Sequence, residues 1–214
     1  MSLDPDKIKA ARAHLAAADP ALARADAETP DFPWRTREGG YPGLLRIVVG
    51  QQVSVAAADA IWARLDSGVG GISAENILKH DIDSLKGFGL SRPKARYALS
   101  VAEAERDGAI MFDALPALDD QAAIAALTGL TGIGRWTAEV YLTFCEGRLD
   151  FFPAGDVALQ EGLRLADDAE RRLTEKELYL RAEAWRPHRG VAAHLLWAYY
   201  GGIKRGEIGA ALPI

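Results

Sequence analysis

Residues 127–142 read LTGLTGIGRWTAEVYL. Gly129, Gly132 and Gly134 interrupt a chain otherwise rich in helix formers, and apolar segments of helical spacing flank them. A glycine inside a helix costs about 1 kcal/mol relative to alanine, so the cluster marks a turn. Gly129 is expected to end the first helix in the left-handed conformation, which glycine adopts without a Cβ clash. Gly132 and Gly134 then form the tight turn that opens the second helix. Their amides, and those of the first helical turn, can approach an anion closely, and the helix N-terminus adds partial positive charge. A nucleic-acid phosphate fits that geometry, gripped without sequence information. A plain helical hairpin closed by glycines fits the same spacing.

Working outward, apolar residues recur with helical periodicity over most of the chain. Helices are expected over 5–19, 42–66, 73–80, 92–107, 119–128, 135–146, 156–166, 174–184 and 189–203. Proline at 42 suits a first-turn position, and Ser73 is a good N-cap. Alternating strand patterns with hairpin turns are nearly absent, so the fold class is all-α. The segment LKGFGLSRPKARYALSVA (85–102) echoes LTGLTGIGRWTAEVYLTF (127–144): both run apolar–glycine–apolar–glycine into a helix. Two helix–turn–helix units of related geometry follow.

The 214 residues carry a net charge of −5, which argues against a protein that coats nucleic acid indiscriminately. It leaves room for one that grips a few phosphates through backbone amides. Arg92, Lys94 and Arg96 cluster in one helix, where a solvated face is the plain reading. The single cysteine, Cys145, excludes an intrachain disulfide and a four-cysteine iron–sulfur or zinc site. It reads as a small buried residue. His14, His80, His188 and His194 lack metal-ligand spacing and read as structural or surface residues. No apolar run approaches the ~18–20 residues a membrane helix needs, and the N-terminus lacks a secretory signal pattern. An intracellular protein is expected, in the cytoplasm or nucleoid if the source is bacterial.

The hairpin resembles the helix-hairpin-helix of the DNA glycosylase superfamily, and three further motifs follow that family's order. DFFPAGDVALQEGL (150–163) is similar to its proline-containing loop, with Asp156 in the place of the aspartate that opens a helix. LLRIVVGQQVSVAAADAIWARL (44–65) and WRPHRGVAAHLLWAYYGG (185–202) resemble segments of the alkylpurine (3-methyladenine) glycosylases. The resemblance covers roughly 40 to 203. It implies a two-lobed helical fold without an N-terminal α/β domain. One lobe is expected over 40–148, containing the hairpin, and the other over 1–39 with 149–214. The active site is expected in a cleft between lobes, with Asp156 on one side.

The same resemblance implies the chemistry. A lysine that forms a Schiff base in the endonuclease III type is replaced here by Trp136, so the chain is expected to release bases without cutting the strand. Asp156 is the expected catalytic residue. Capping amides favour its ionised form. An anion stabilises the oxocarbenium charge that develops when a glycosidic bond breaks, and can orient the attacking water. N-alkylated purines such as 3-methyladenine and 7-methylguanine are cationic and leave without protonation, so no general acid is required. Glu139 and Glu161 are read as facing solvent. Trp136 and Trp197 are the leading walls of the base pocket, with Trp34, Tyr41 and Tyr199 as further candidates, since aromatic faces stack on a cationic base. Val140 and Ala198 stand where some relatives carry pocket tyrosines. Gln52 is the residue expected to wedge into DNA, where many relatives have leucine. Gly129, Gly132, Gly134, Arg135 and Thr137 are assigned to DNA phosphate.

No cofactor is required. A sodium or potassium ion at the carbonyls of Thr128, Leu130 and Ile133 is implied by the family. The expected partner is DNA containing alkylated bases, bound by a monomer, with no membrane. A non-catalytic helix-hairpin-helix DNA-binding protein is the alternative, as is a glycosylase for other damaged or mismatched bases.

Overall fold

The computed structural model describes residues 4–32, 34 and 36–209. Every regular element among them is helical, as the periodicity predicts. The helices are α1 (Pro5–Ala18), α2 (Pro20–Glu28), α3 (Gly40–Gly50), α4 (Val55–Val69), α5 (Ala74–Ile77) and α6 (Ile82–Gly87). They continue with α7 (Arg92–Arg106), α8 (Asp120–Thr128), α9 (Arg135–Phe144), α10 (Val157–Asp167), α11 (Glu175–Ala182) and α12 (Arg189–Lys204). Short 3₁₀ turns cover Phe112–Ala117 and Glu183–Trp185.

Side-chain oxygens start most of these helices by accepting orphan backbone amides. Asp4, Asp19, Ser54, Ser73, Asp81, Ser91, Asp119, Asp156 and Thr174 all act this way. Thr174 and Glu177 complete a reciprocal capping box at α11.

The chain divides into two compact units. One joins the N-terminal segment up to Thr36 with the chain from Leu142 onward, and the other is Arg37–Tyr141. In the first, α2, α10 and α12 pack on one another around Leu22, Phe152, Leu159, Trp185 and Leu196. Gly162 makes the α10–α12 contact close, because a Cβ there would meet the Leu196 carbonyl oxygen at 3.0 Å. Asp19 ties the sequence-distant ends of this unit. It caps α2 and accepts from Arg181 at 2.8 and 2.7 Å and from the Trp185 indole at 3.0 Å. In the second unit α7 packs against α3, α5 and α6, and α3 packs against α4.

Two expectations about the fold are corrected. The helix expected over 42–66 is two helices, α3 and α4, separated at 51–54. Gln52 takes a left-handed φ of 57° in that break, and Ser54 then caps α4. The helix expected over 5–19 is present as α1, whereas α2, which follows it directly, and the short helix Ile82–Gly87 are not among the expected segments. Within the hairpin Gly129 is right-handed, at φ −67°, and Gly132 supplies the positive φ, 83°. The Gly129 amide continues the α8 pattern by donating to Ala125 O at 3.0 Å, and the reversal falls three residues later.

Candidate active site

Asp156 precedes α10, where the turn Ala154–Gly155 delivers it as N-cap. Its Oδ1 accepts from the amides of Ala158 at 2.9 Å and Leu159 at 3.1 Å. A third donor comes from α12: the indole Nε1–H of Trp197 reaches the same oxygen at 3.2 Å. Two backbone dipoles, a helix N-terminus and an indole N–H thus converge on one half-buried carboxylate.

Trp197 belongs to an aromatic group within the same unit. Its ring lies 5.1 Å from Phe144 and 5.8 Å from His194, the latter edge-on. His194 in turn stacks on Trp34 at 4.0 Å, with the ring planes 20° apart. The Nδ1 of His194 lies 2.9 Å from Gly190 O. A carbonyl only accepts, so Nδ1 carries the hydrogen of that bond. The Trp34 Nε1–H is buried with no acceptor among the described residues. This assembly brings together Asp156, Trp197 and Trp34 of the expected site. His194 and Phe144 join them unanticipated; the spacing of His194 and Trp197 on one face of α12 was the available signal.

Other expected residues lie elsewhere. Tyr199 is wholly buried in the core of the same unit. Tyr41 is a core residue of the second unit, with its hydroxyl donating to Ala98 O at 2.9 Å. Trp136 stands half-buried in the first turn of α9. Glu139 is 1% exposed, which corrects the solvent-facing reading, and accepts from Arg135 at 2.9 Å. Glu161 is half-buried and engaged by the Arg164 guanidinium. Cys145 is only partly buried.

The hairpin has the geometry of an anion cradle. Ala138 N donates to Gly134 O at 3.0 Å as the first bond of α9, so the amides before it point along the axis toward the turn. Gly134 and Arg135 are exposed, and a Cβ at Gly134 would meet nothing within 4 Å. Gly132 is different. A Cβ there would fall 2.2 Å from the Tyr97 ring, so the left-handed turn also requires a missing side chain. Thr137 is 2% exposed and its hydroxyl accepts from Gln51 Nε2 at 3.0 Å, so its side chain is engaged within the unit and not at the surface. Leu130 O closes the hairpin by accepting from Ile133 N at 3.1 Å.

Among the described residues no His, Cys, Asp or Glu cluster is arranged to hold a metal ion, and no helix is long and apolar enough to cross a membrane. Lys94, read as part of a solvated face, is half-buried and donates to Val49 O and Gln51 O.

Comparison with known proteins agrees with this picture. Residues 45–187 match the model of the HhH-GPD superfamily base excision DNA repair proteins. DNA-3-methyladenine glycosylase 1 of Schizosaccharomyces pombe is 32% identical over 161 residues, covering 73% of this chain and 71% of the relative. The structure of the 3-methyladenine DNA glycosylase of the same yeast, in complex with abasic DNA, superposes with a TM-score of 0.82. It is 28% identical and covers 95% of this chain and 100% of that one. A DNA-3-methyladenine glycosidase from Bacillus halodurans is 30% identical with a TM-score of 0.76, covering 91% of each chain. The family model spans two thirds of the chain and a relative 32% identical covers most of it, and the chain belongs to the HhH-GPD superfamily of base excision DNA repair proteins.

Proposed function

We propose that the chain is a monofunctional DNA glycosylase that releases N-alkylated purines of the 3-methyladenine and 7-methylguanine type. The observation that carries the reading is Asp156: a carboxylate at a helix N-terminus, fixed by two amides and the Trp197 indole, beside an aromatic group. Its relatives are named for 3-methyladenine release, which supports the lesion class.

The target nucleotide leaves the stack at a cost of a few kcal/mol. The C1′–N9 bond then breaks with its electron pair moving to the purine, which neutralises the base's positive charge. Positive charge appears on the sugar, and Asp156 stabilises it. Water adds at C1′ and gives up its proton, for which the carboxylate is the acceptor. Trp197, half-buried, offers a ring that suits a cationic purine, while Trp34 is buried against His194 and backs the aromatic group. Trp136 occupies the place of a Schiff-base lysine and has no nucleophile to offer, so the sugar–phosphate strand stays whole.

The hairpin amides around Gly132 and Gly134, with the exposed Arg135, take a phosphate. The carbonyls of Thr128, Leu130 and Ile133 offer hard oxygen donors to sodium or potassium, the kind of ligand such ions prefer. The protein acts as a monomer on intracellular DNA.

The test is base release from duplex DNA carrying 3-methyladenine, with the freed base identified by chromatography. Wild-type protein is expected to yield 3-methyladenine with strands intact. Asp156→Asn is expected to bind the same DNA and lose about 10²-fold or more in rate. Binding without release by wild-type protein would leave only a DNA-binding module. Strand scission without added base or amine would remove monofunctionality.

A further inference from the structure

We infer that Lys94 is the positioning residue of the loop that carries Gln52, holding it in the conformation that inserts into duplex DNA. The inference rests on the wedge role of Gln52 and on the glycosylase reading above. Gln52 lies in the break between α3 and α4, exposed, with a left-handed φ of 57°. That conformation disfavours a residue with a Cβ and persists only where the surroundings hold it. The surroundings here are specific. From the first turn of α7, Lys94 Nζ donates to Val49 O at 2.9 Å and to Gln51 O at 2.7 Å. These carbonyls lie at the C-terminus of α3, where the helix leaves its acceptors without intrahelical donors and where a cation is favoured.

Gln51 is held a second time. Its Nε2 donates to Thr137 Oγ1 at 3.0 Å, and Thr137 is a buried residue in the first turn of α9. On the far side Ser54 Oγ accepts from Ala57 N at 3.2 Å and fixes the start of α4. The left-handed residue therefore sits between a doubly anchored Gln51 and a capped helix. The side chain that would enter the stack is exposed. Lys94 is half-buried, and its ammonium is spent on two carbonyls and not on a solvated face. Lys94 touches no reacting atom; it acts through Gln52. The link through Gln51 to Thr137 also places the wedge loop and the hairpin helix in one hydrogen-bonded frame.

A wedge matters most when a paired base must be extruded, and less when the partner base is already gone. The experiment compares single-turnover release of 3-methyladenine from two duplexes. In one the lesion is paired with thymine, and in the other it lies opposite an abasic gap. The expected result for Lys94→Met is a loss of about tenfold on the paired duplex, with the gapped duplex within about twofold of wild type. Lys94→Arg, which can still reach two carbonyls, is expected to restore most of the paired rate. Equal losses on both duplexes, or a paired rate within twofold of wild type, would overturn the role of Lys94. Gln52→Ala is run alongside: an unchanged paired-to-gapped ratio there would remove the wedge, and this inference with it, while leaving the glycosylase intact. A wild-type protein that frees no base from either duplex would overturn the functional reading itself.

Discussion

Trp197 donates its indole N–H to Asp156 Oδ1 across 3.2 Å, and two helical amides address the same oxygen. The carboxylate is thereby fixed in rotation as well as in position. Fixed dipoles already in place when charge develops need no reorganisation in the transition state. Trp197→Phe keeps an aromatic ring against Phe144 but deletes the donor. The expected outcome is a loss of about tenfold in single-turnover base release, consistent with one hydrogen bond to a charged group. Circular dichroism and DNA affinity should be unchanged. A rate equal to wild type would mean that the indole contributes packing alone.

Gln52 raises the reverse situation, a residue whose backbone is strained in favour of its side chain. Its φ of 57° is one that glycine accepts freely. Gln52→Gly is therefore expected to leave the protein as stable as before, or to stabilise it by up to about 1 kcal/mol. Its release of paired lesions should fall. Urea unfolding and base release, measured on the same preparation, check the two halves. A destabilised glycine variant would show that the loop is not strained.

Gly132 faces both a backbone and a packing demand. A methyl group would sit on a left-handed residue and 2.2 Å from the Tyr97 ring. Gly132→Ala should destabilise by about 2–4 kcal/mol and weaken DNA binding. Adding Tyr97→Ala should return the steric share and leave the conformational one. Thermal denaturation of the single and double variants measures both. Strictly additive losses would separate Tyr97 from the turn.

Asp19 carries the pH dependence most open to measurement. Burial by itself would raise its carboxyl. The hydrogen bonds and charge of Arg181, with the Trp185 indole, outweigh burial and hold it below the ordinary aspartate value. A carboxyl lowered by folding contributes stability that is complete above its unfolded pKa and disappears as pH falls through the folded one. Asp19→Asn keeps a capping side chain for α2. It is expected to cost about 2–3 kcal/mol at pH 7 and progressively less below about pH 4. Urea midpoints at pH 7 and pH 3 give the comparison, and a constant difference would exclude the ion pair as its source.

Much of this was readable from the chain. Serine, threonine and aspartate before apolar periodic runs marked helix starts because capping is a local interaction. Asp156 was singled out by its place in DFFPAGDVALQEGL, a motif resembling the family's, and its position as N-cap of α10 is compatible with that reading. The break at 51–54 was missed because the apolar period continues through GQQVSV, and its conformation depends on Lys94 and Thr137, both far along the chain. Which of three glycines turns left-handed was likewise not given by local spacing, and the Tyr97 ring that leaves no room for a side chain at Gly132 comes from a distant helix. Asp19-Pro20 carried a plain start signal for α2, since an N-cap followed by proline is local information. The depth of Glu139 depends on which face of α9 turns inward, which periodicity alone did not decide.

Gly162 has a consequence for how this enzyme family can drift. The helix that begins at Asp156 and the helix that bears Trp197 touch at a point where one of them has no side chain. The spacing between Asp156 and Trp197 is therefore gauged by bare backbone, about two turns away from their hydrogen bond. A single methyl at 162 would press on the Leu196 carbonyl at 3.0 Å, so α10 and α12 must yield by a few tenths of an ångström, a shift carried to the Asp156–Trp197 hydrogen bond without changing either residue.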